Sequence, residues 1–401
     1  MSLSALVLAS AARAEAPALR PEVGKPLQEA QEDIKAKKFA DANSRIDAAE
    51  KAGGLTPFEK YTIARMRASA ALGAGDNLKA AQAFEAVLAS GQSPAADQGK
   101  IETTVVQLYY RAQSYPKAIE ALQRYKADGG SDPQILSLYP QALYLEGKYA
   151  EAATEIRTQI AATEKEGAAP GEPQLQLLAS CALKQNDTAG YVAALQKLVT
   201  YAPKKSYWAD LIARVQGKGG FSDRYSLDAD RLRLATDNLD SAQDYVEAVQ
   251  LAIQAGQPAE AQAMLNRGFA KGVLGSGPEA ERHQRLKALV DKQAGDDKAG
   301  LAQSPAAAAA LPYGDALINT GLDFVAGGQA ERGAELIDQG AKKGNFKRSD
   351  EALLHAGYGY YTAGKSDKAT QTFKLVQGGD GAADLAGLWE ILARHHQGAS
   401  D

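Results

Sequence analysis

The residues best suited to general-base or metal chemistry in this chain of 401 residues are its four histidines, His283, His355, His395 and His396. None stands in the His-Glu-x-x-His or i, i+4 pattern that places two imidazoles on one face of a zinc-binding helix. His283, in Glu281-Arg282-His283, reads as part of an exposed helix face, and His395-His396 as part of a tail. Cys181 is the only cysteine, which excludes an intramolecular disulfide, a four-cysteine zinc site and a CxxC redox pair. Its setting, Leu177 to Leu183, is an apolar helical run in which a thiol serves as a small core side chain. No Gly-x-Ser-x-Gly elbow offers a hydrolase nucleophile. The glycine-rich stretch Gly272 to Pro278 lacks a following Gly-Lys-Ser/Thr, so it reads as an inter-helix turn capped by Ser276 or Gly277 and not as a phosphate loop. Acidic neighbours such as Asp296-Asp297 are of the kind found in exposed turns. No metal ligand set and no cofactor motif is expected.

The elements around these residues are helical by composition. Alanine is abundant, aromatic residues make up 7%, and apolar residues are spread evenly instead of gathered in blocks. At this length the chain must form more than one compact core or an elongated array. A formal net charge of -4 and a pI near 5.8 supply no broad positive field for a phosphate backbone, so nucleic acid is not an expected partner. Leu3 to Ala12 form a short apolar run, and Ala12-Arg13-Ala14 matches the small-x-small pattern of a signal-peptidase site, so 1–14 reads as a signal-peptide-like segment or, alternatively, as an N-terminal helix. The expected location is the periplasm, with the cytoplasm as the alternative. No stretch approaches the about 20 apolar residues of a membrane span.

A unit recurs at intervals of about 34 to 39 residues. It consists of a short turn, typically Gly-x-aromatic, followed by Ala three residues later and a large apolar residue four further on. The copies are Lys37-Lys38-Phe39 with Ala42 and Ile46, Gly75-Asp76-Asn77 with Ala80 and Phe84, Gln113-Ser114-Tyr115 with Ala118 and Leu122, and Gly147-Lys148-Tyr149 with Ala152 and Ile156. Then come Asn186-Asp187-Thr188 with Leu195, Gly256-Gln257-Pro258 with Ala261, Gly328-Gln329-Ala330 with Ile337, and Gly364-Lys365-Ser366 with Ala369 and Phe373. Two gaps of twice the period predict degenerate copies around 205–240 and 280–310. Each turn separates a first helix from a second, glycine supplying the positive φ that ends the first and alanine letting the second approach closely.

These positions resemble the tetratricopeptide repeat (TPR) family, of an exported bacterial type, in pieces over about 23–270 and 313–378. The resemblance implies an all-α protein, an α-solenoid of antiparallel helix pairs forming a right-handed superhelix of about eight to ten repeats. Pro140 and Tyr191 depart from the pattern, at a small first-helix position and at a second-helix alanine, and each predicts a local kink or widening. The expected organisation is an N-terminal array over 15–295, a linker or helical hinge over 296–312, and C-terminal repeats with a capping helix over 313–401. The family's groove positions fall here on Arg65 and Ser69; on Lys100, Thr103, Gln107 and Tyr110; on Ser137, Gln141 and Tyr144; on Gln176, Ser180 and Lys184; and on Leu354, Tyr358 and Tyr361. The implied function is a non-catalytic scaffold or adaptor that holds peptide or protein partners in its groove. Two alternatives stay open: an all-helical periplasmic enzyme acting on glycans through groove carboxylates, and a scaffold that assembles with itself.

Overall fold

The computed structural model describes residues 18–398, so the signal-peptide-like segment 1–14 lies outside the described residues. Among the described residues every regular element is helical, and the chain divides into two compact units, Met1–Ala162 and Thr163–Asp401.

Unit 1 contains α1 (Pro21–Lys35), α2 (Phe39–Glu50), α3 (Pro57–Gly73), α4 (Asn77–Ala89), α5 (Ala95–Arg111), α6 (Tyr115–Ala127), α7 (Pro133–Leu136), α8 (Leu138–Leu145) and most of α9 (Tyr149–Lys165). The helices pair as antiparallel hairpins, α1 with α2, α3 with α4 and α5 with α6, and each hairpin packs on the next. The turns repeat one hydrogen-bond pattern: Asp76 N donates to Ala71 O at 2.9 Å, Ser114 N to Tyr109 O at 3.0 Å and Lys148 N to Leu143 O at 2.8 Å. This pattern closes a helix through one residue in the left-handed region. Gly75 and Gly147 occupy it without strain at φ 75° and 83°, whereas Lys37 and Gln113 are forced into it at 59° and 56°. After each turn the expected alanine is fully buried at Ala42, Ala80, Ala118 and Ala152, which lets the second helix lie close to the first. The kink expected at Pro140 is present as a break at Ser137, between α7 and α8. Pro140 has no N–H for the carbonyl of Leu136, so the first helix of this repeat is cut in two.

Unit 2 contains α10 (Glu172–Lys184), α11 (Thr188–Tyr201), α12 (Lys205–Gln216), a 3-10 turn at Asp223–Tyr225, α13 (Ser226–Ala235), α14 (Ala242–Gln254), α15 (Pro258–Ala270), α16 (Ala280–Gly300), α17 (Ser304–Ala310), α18 (Asp315–Ala326), α19 (Ala330–Lys343), α20 (Ser349–Thr362), α21 (Ser366–Phe373) and α22 (Ala382–Gly398). Helices occupy both gaps in the repeat pattern. The 296–312 stretch is the end of α16 followed by α17, with Leu301 and Ala308 buried in one cluster with Leu317, Phe324 and Leu336. The capping helix, α22, packs on α20 and α21 and also returns to α11 and α13. The return is fastened by Lys218 Nζ donating to Asp384 at 2.8 Å, Ser222 N to Asp380 O at 2.9 Å, and an Arg224–Asp380 ion pair. Phe221 lies against the bare backbone of Gly381, where a Cβ would come within 2.5 Å of the ring. Unit 2 is therefore a stack of hairpins closed by its own last helix.

The structure corrects four local expectations. Asp296-Asp297 lie inside α16 and not in a turn, and Asp297 is half-buried. His395 is in α22, not in a tail, and its Nε2 lies 2.8 Å from Val199 O. His283 is buried, and its Nδ1 accepts the N–H of Gly275 at 3.2 Å, so it tethers the glycine-rich turn instead of facing solvent. The helix after that turn begins at Ala280 with Glu279 as its cap residue, not with Ser276 or Gly277.

Candidate functional site

In unit 1 the first helix of each hairpin buries one arc and leaves another uncovered. On α5 the buried arc is Val105, Val106, Leu108 and Tyr109, packed among Ala80, Ala81, Ala118 and Leu122. The opposite arc, at i, i+4, i+7 and i+8, carries Thr103, Gln107, Tyr110 and Arg111, of which Gln107 and Arg111 are exposed. On α3 the equivalent residues Arg65, Ser69 and Leu72 are all exposed, and in the next repeat they are Ser137 at the α7–α8 break and Gln141 and Tyr144 on α8. Tyr110 Oη donates to Gln141 Oε1 at 3.1 Å, and Gln141 Nε2 donates to Ser137 O at 3.0 Å, so these arcs join into one face from α5 to α8.

The face combines three kinds of contact. Gln107 and Gln141 offer amides. Tyr110 and Tyr144 are half-buried and held edge-on by Tyr115 and Tyr149, with ring centroids 5.8 and 5.2 Å apart, which fixes two aromatic surfaces one repeat apart. Burial, with Tyr115 adding to it, pushes the Tyr110 hydroxyl up from its ordinary range, so it stays a neutral donor. Leu72 and Leu145, 45% and 47% exposed, add large apolar side chains to this face. Positive charge comes from Arg65, which lies over the Tyr61 ring at 5.5 Å, and from Arg111. Lys100 stands at the edge, 4.0 Å from Asp97, beside a polar cavity of about 810 Å³ shared with Glu102, Asp128 and Asp132. Burial, reinforced by Asp128, raises the Glu102 carboxyl.

The remaining candidates lie in unit 2, in different settings. Gln176 Nε2 donates to Tyr207 Oη at 2.6 Å and to Glu172 Oε1 at 3.2 Å, in a network that Lys204 joins through Glu172. Lys184 is exposed at the end of α10. Leu354, expected on the groove, is fully buried. Tyr358 and Tyr361 are half-buried and pack against α22. Their rings lie 5.3 and 5.0 Å from that of Trp389 on α22, and Tyr358 Oη donates to Glu260 Oε1 at 2.8 Å. Burial pushes the Tyr361 hydroxyl up to about 12.

Tyr358 belongs to a buried ionic cluster that no sequence motif announces. Arg231, 1% exposed, donates to Glu260 through Nε at 2.8 Å and Nη2 at 2.6 Å, and to Asp228 through Nη1 at 2.8 Å. Its guanidinium lies 4.6 Å from the centre of the Tyr358 ring, and His355 Nε2 is 3.3 Å from Asp228. Burial alone would raise the Asp228 carboxyl, but His355 and then Arg231 outweigh it and hold it below its usual value. The cluster ties α13, α15 and α20 together. Only the i, i+3 spacing of Asp228 and Arg231 hints at it in the sequence, since Glu260 and His355 lie far along the chain.

One contact recurs in both units. The tyrosine four residues before the turn reaches back to the second helix of the preceding hairpin: Tyr109 Oη donates to Glu85 at 2.8 Å in unit 1, and Tyr360 Oη donates to Asp338 at 2.7 Å in unit 2. Gly357, three residues before Tyr360, admits the Phe373 ring so closely that a Cβ would sit 2.4 Å from it. The hairpins are tetratricopeptide-like repeats. No protein-family model matches the chain, and no curated protein sequence matches it. Among solved structures it is similar to the TPR2AB domain of yeast Sti1 in complex with pHSP90, at 15% identity and a TM-score of 0.30, covering 67% of this chain and 98% of that one. It is also similar to a tetratricopeptide repeat protein from Parabacteroides merdae, at 12% identity and a TM-score of 0.31, covering 75% and 99%. Yeast Tom70 aligns at 10% identity and a TM-score of 0.23, covering 93% and 96%.

Proposed function

We propose that the protein is a non-catalytic scaffold that holds an extended segment of another polypeptide on the open face of unit 1. The observation that supports this reading is the continuity of that face, joined by the Tyr110–Gln141 hydrogen bond and flanked by the exposed Gln107 and Arg65. An extended peptide presents backbone N–H and C=O groups along its length, and side-chain amides and hydroxyls at one-repeat intervals can pair with them. The Tyr110 and Tyr144 rings and the exposed Leu72 and Leu145 would take apolar side chains, while Arg65, Lys100 and Arg111 would favour a partner without excess positive charge. Gln176, Lys184, Tyr358 and Tyr361 are left out of the proposed site because unit 2 engages three of them internally and Lys184 stands apart on α10.

The test is selection of peptides from a random displayed library on the full chain, followed by titration of a selected peptide. Tyr110→Ala combined with Gln141→Ala should weaken it by tenfold or more, and Gln176→Ala should leave it within twofold. Equal affinity for all three proteins would remove unit 1 as the binding face. We also propose export to the periplasm through 1–14. The mass of protein recovered from the periplasm of a Gram-negative host should correspond to a chain beginning at Glu15, and an uncleaved chain retained in the cytoplasm would refute it.

A further inference from the structure

Unit 2 holds one carboxylate that its ionic cluster does not neutralise. Asp323, itself half-buried, stands on α18, which packs against α15, α17, α19 and α20. Its Oδ1 is enclosed without a hydrogen-bond partner among the described residues. An ionised carboxylate there has lost hydration at Oδ1 and gained no partner for it.

The surrounding charges make ionisation harder still. Asp297 on α16 and Glu260 on α15 are both acidic, and Glu260 already serves Arg231 and Tyr358. The other charges on helices touching α18 have partners elsewhere. On α15, Arg267 pairs with Asp237. On α19, Glu331 pairs with Lys365, Arg332 with Glu335, and Asp338 with Lys368; Lys343 donates to the Ala309 carbonyl at 2.7 Å, and Lys342 is exposed. On α20, Glu351 pairs with Arg348, Asp350 accepts the Gln377 N–H, and His355 faces Asp228. α17 carries no charge.

We propose that Asp323 is a proton-dependent packing point of unit 2: protonated, it lets α18 lie against α15, and ionised, it loosens that packing. Burial, followed by the like charges of Asp297 and Glu260, pushes the carboxyl up to about 7. The folded value lies above the unfolded one, so the folded state binds the proton more tightly. The stabilisation is complete below the ordinary aspartate range near 4 and is lost as pH rises to about 7, after which it levels off. The unit is thus held more tightly in mildly acidic than in alkaline solution.

The two tryptophans of the chain, Trp208 on α12 and Trp389 on α22, both belong to unit 2 and are buried, so tryptophan fluorescence during urea unfolding of the full chain reports this unit. Between pH 6 and 8 the wild-type folding constant should fall about tenfold relative to that of Asp323→Asn. The variant should have the higher urea midpoint at pH 8. Taking the difference between the two proteins cancels titration of other groups, including Asp230, whose carboxyl burial pushes up to about 6. Parallel pH profiles would overturn the proposal. Asp297→Asn removes one of the like charges and should move the fall to lower pH. If Asp323→Asn does not fold, this second variant decides alone, and a fall left at the same pH overturns the proposal.

Discussion

The two units place different residues at the same repeat positions. Six residues before the turn, unit 1 carries Gln107 and Gln141, short amides that reach only their neighbours. At that position unit 2 carries Tyr358 before Gly364 and Arg231 before Asp237, which takes a positive φ of 62°. These long side chains meet each other and Glu260, drawing α13, α15 and α20 of unit 2 together. Three residues before the turn Tyr110, Tyr144 and Tyr361 are all half-buried; the first two pack on tyrosines of their own hairpins and Tyr361 packs on Trp389 of α22. The hairpin geometry is common to both units. Whether a face stays available is decided by the length and charge of a few residues on it.

The largest expected effect breaks this comparison directly. Arg231→Ala leaves Glu260 a buried carboxylate without its cation and Asp228 with His355 alone, which should destabilise unit 2 by about 3 to 5 kcal/mol, read by tryptophan fluorescence in urea. Arg65→Ala, on the open face of unit 1, should change stability by less than about 0.5 kcal/mol in circular dichroism. Similar losses from both would mean that the ionic cluster does not hold unit 2 closed. The next effect tests what the units share. Ala118→Leu in unit 1 and Ala369→Leu in unit 2 both force a side chain into a fully buried helix contact, and each should cost about 1 to 3 kcal/mol. A tolerated leucine at either site would show that close approach of the paired helices is not general.

The repeat was legible because its signals are local: a turn residue, an alanine three positions after the aromatic, and large apolar residues at helical spacing. The buried Ala80, Ala118, Ala261 and Ala369 follow from that pattern alone. Arg65, Gln107, Tyr110 and Gln141 came from the resemblance to tetratricopeptide repeats, and periodicity adds only that each lies on a helix arc away from its buried neighbours. What the sequence hid is contact between residues far apart in it. Nothing near Leu385 or Trp389 says that α22 returns to α13, and nothing near Tyr358 names Glu260, which lies 98 residues away. His395 was misplaced for the same reason, since Val199 lies 196 residues away, and His283 because its partner is a backbone N–H in the adjacent turn that no motif marks.

Removal of single hydroxyls sharpens the contrast at equivalent chemistry. Tyr358→Phe takes a donor from a buried carboxylate and should cost unit 2 about 1.5 to 3 kcal/mol, whereas Tyr110→Phe breaks a neutral bond on a partly wet face and should cost unit 1 about 0.5 to 1.5 kcal/mol. The order should reverse for binding of a selected peptide, which only Tyr110→Phe should weaken. A peptide whose affinity falls in Tyr358→Phe and not in Tyr110→Phe would assign the open face to the wrong unit.

The smallest effect concerns turns in which the two units solve one problem with different residues. Gln113 and Asn186 both hold positive φ, at 56° and 54°, and both end a first helix. Glutamine has no local compensation for the close approach of its Cβ to the carbonyl oxygen, while asparagine tolerates this region better. Gln113→Gly relieves about 1 to 2 kcal/mol of strain and returns about 0.5 to 1 kcal/mol through the greater freedom of the unfolded chain. The net should be a gain of about 0.5 kcal/mol in unit 1, and Asn186→Gly should leave unit 2 nearly unchanged. Thermal unfolding followed by circular dichroism for the first and by tryptophan fluorescence for the second would show it. A larger gain at Asn186 would mean that unit 2 stores strain in its turns as well as charge in its interior.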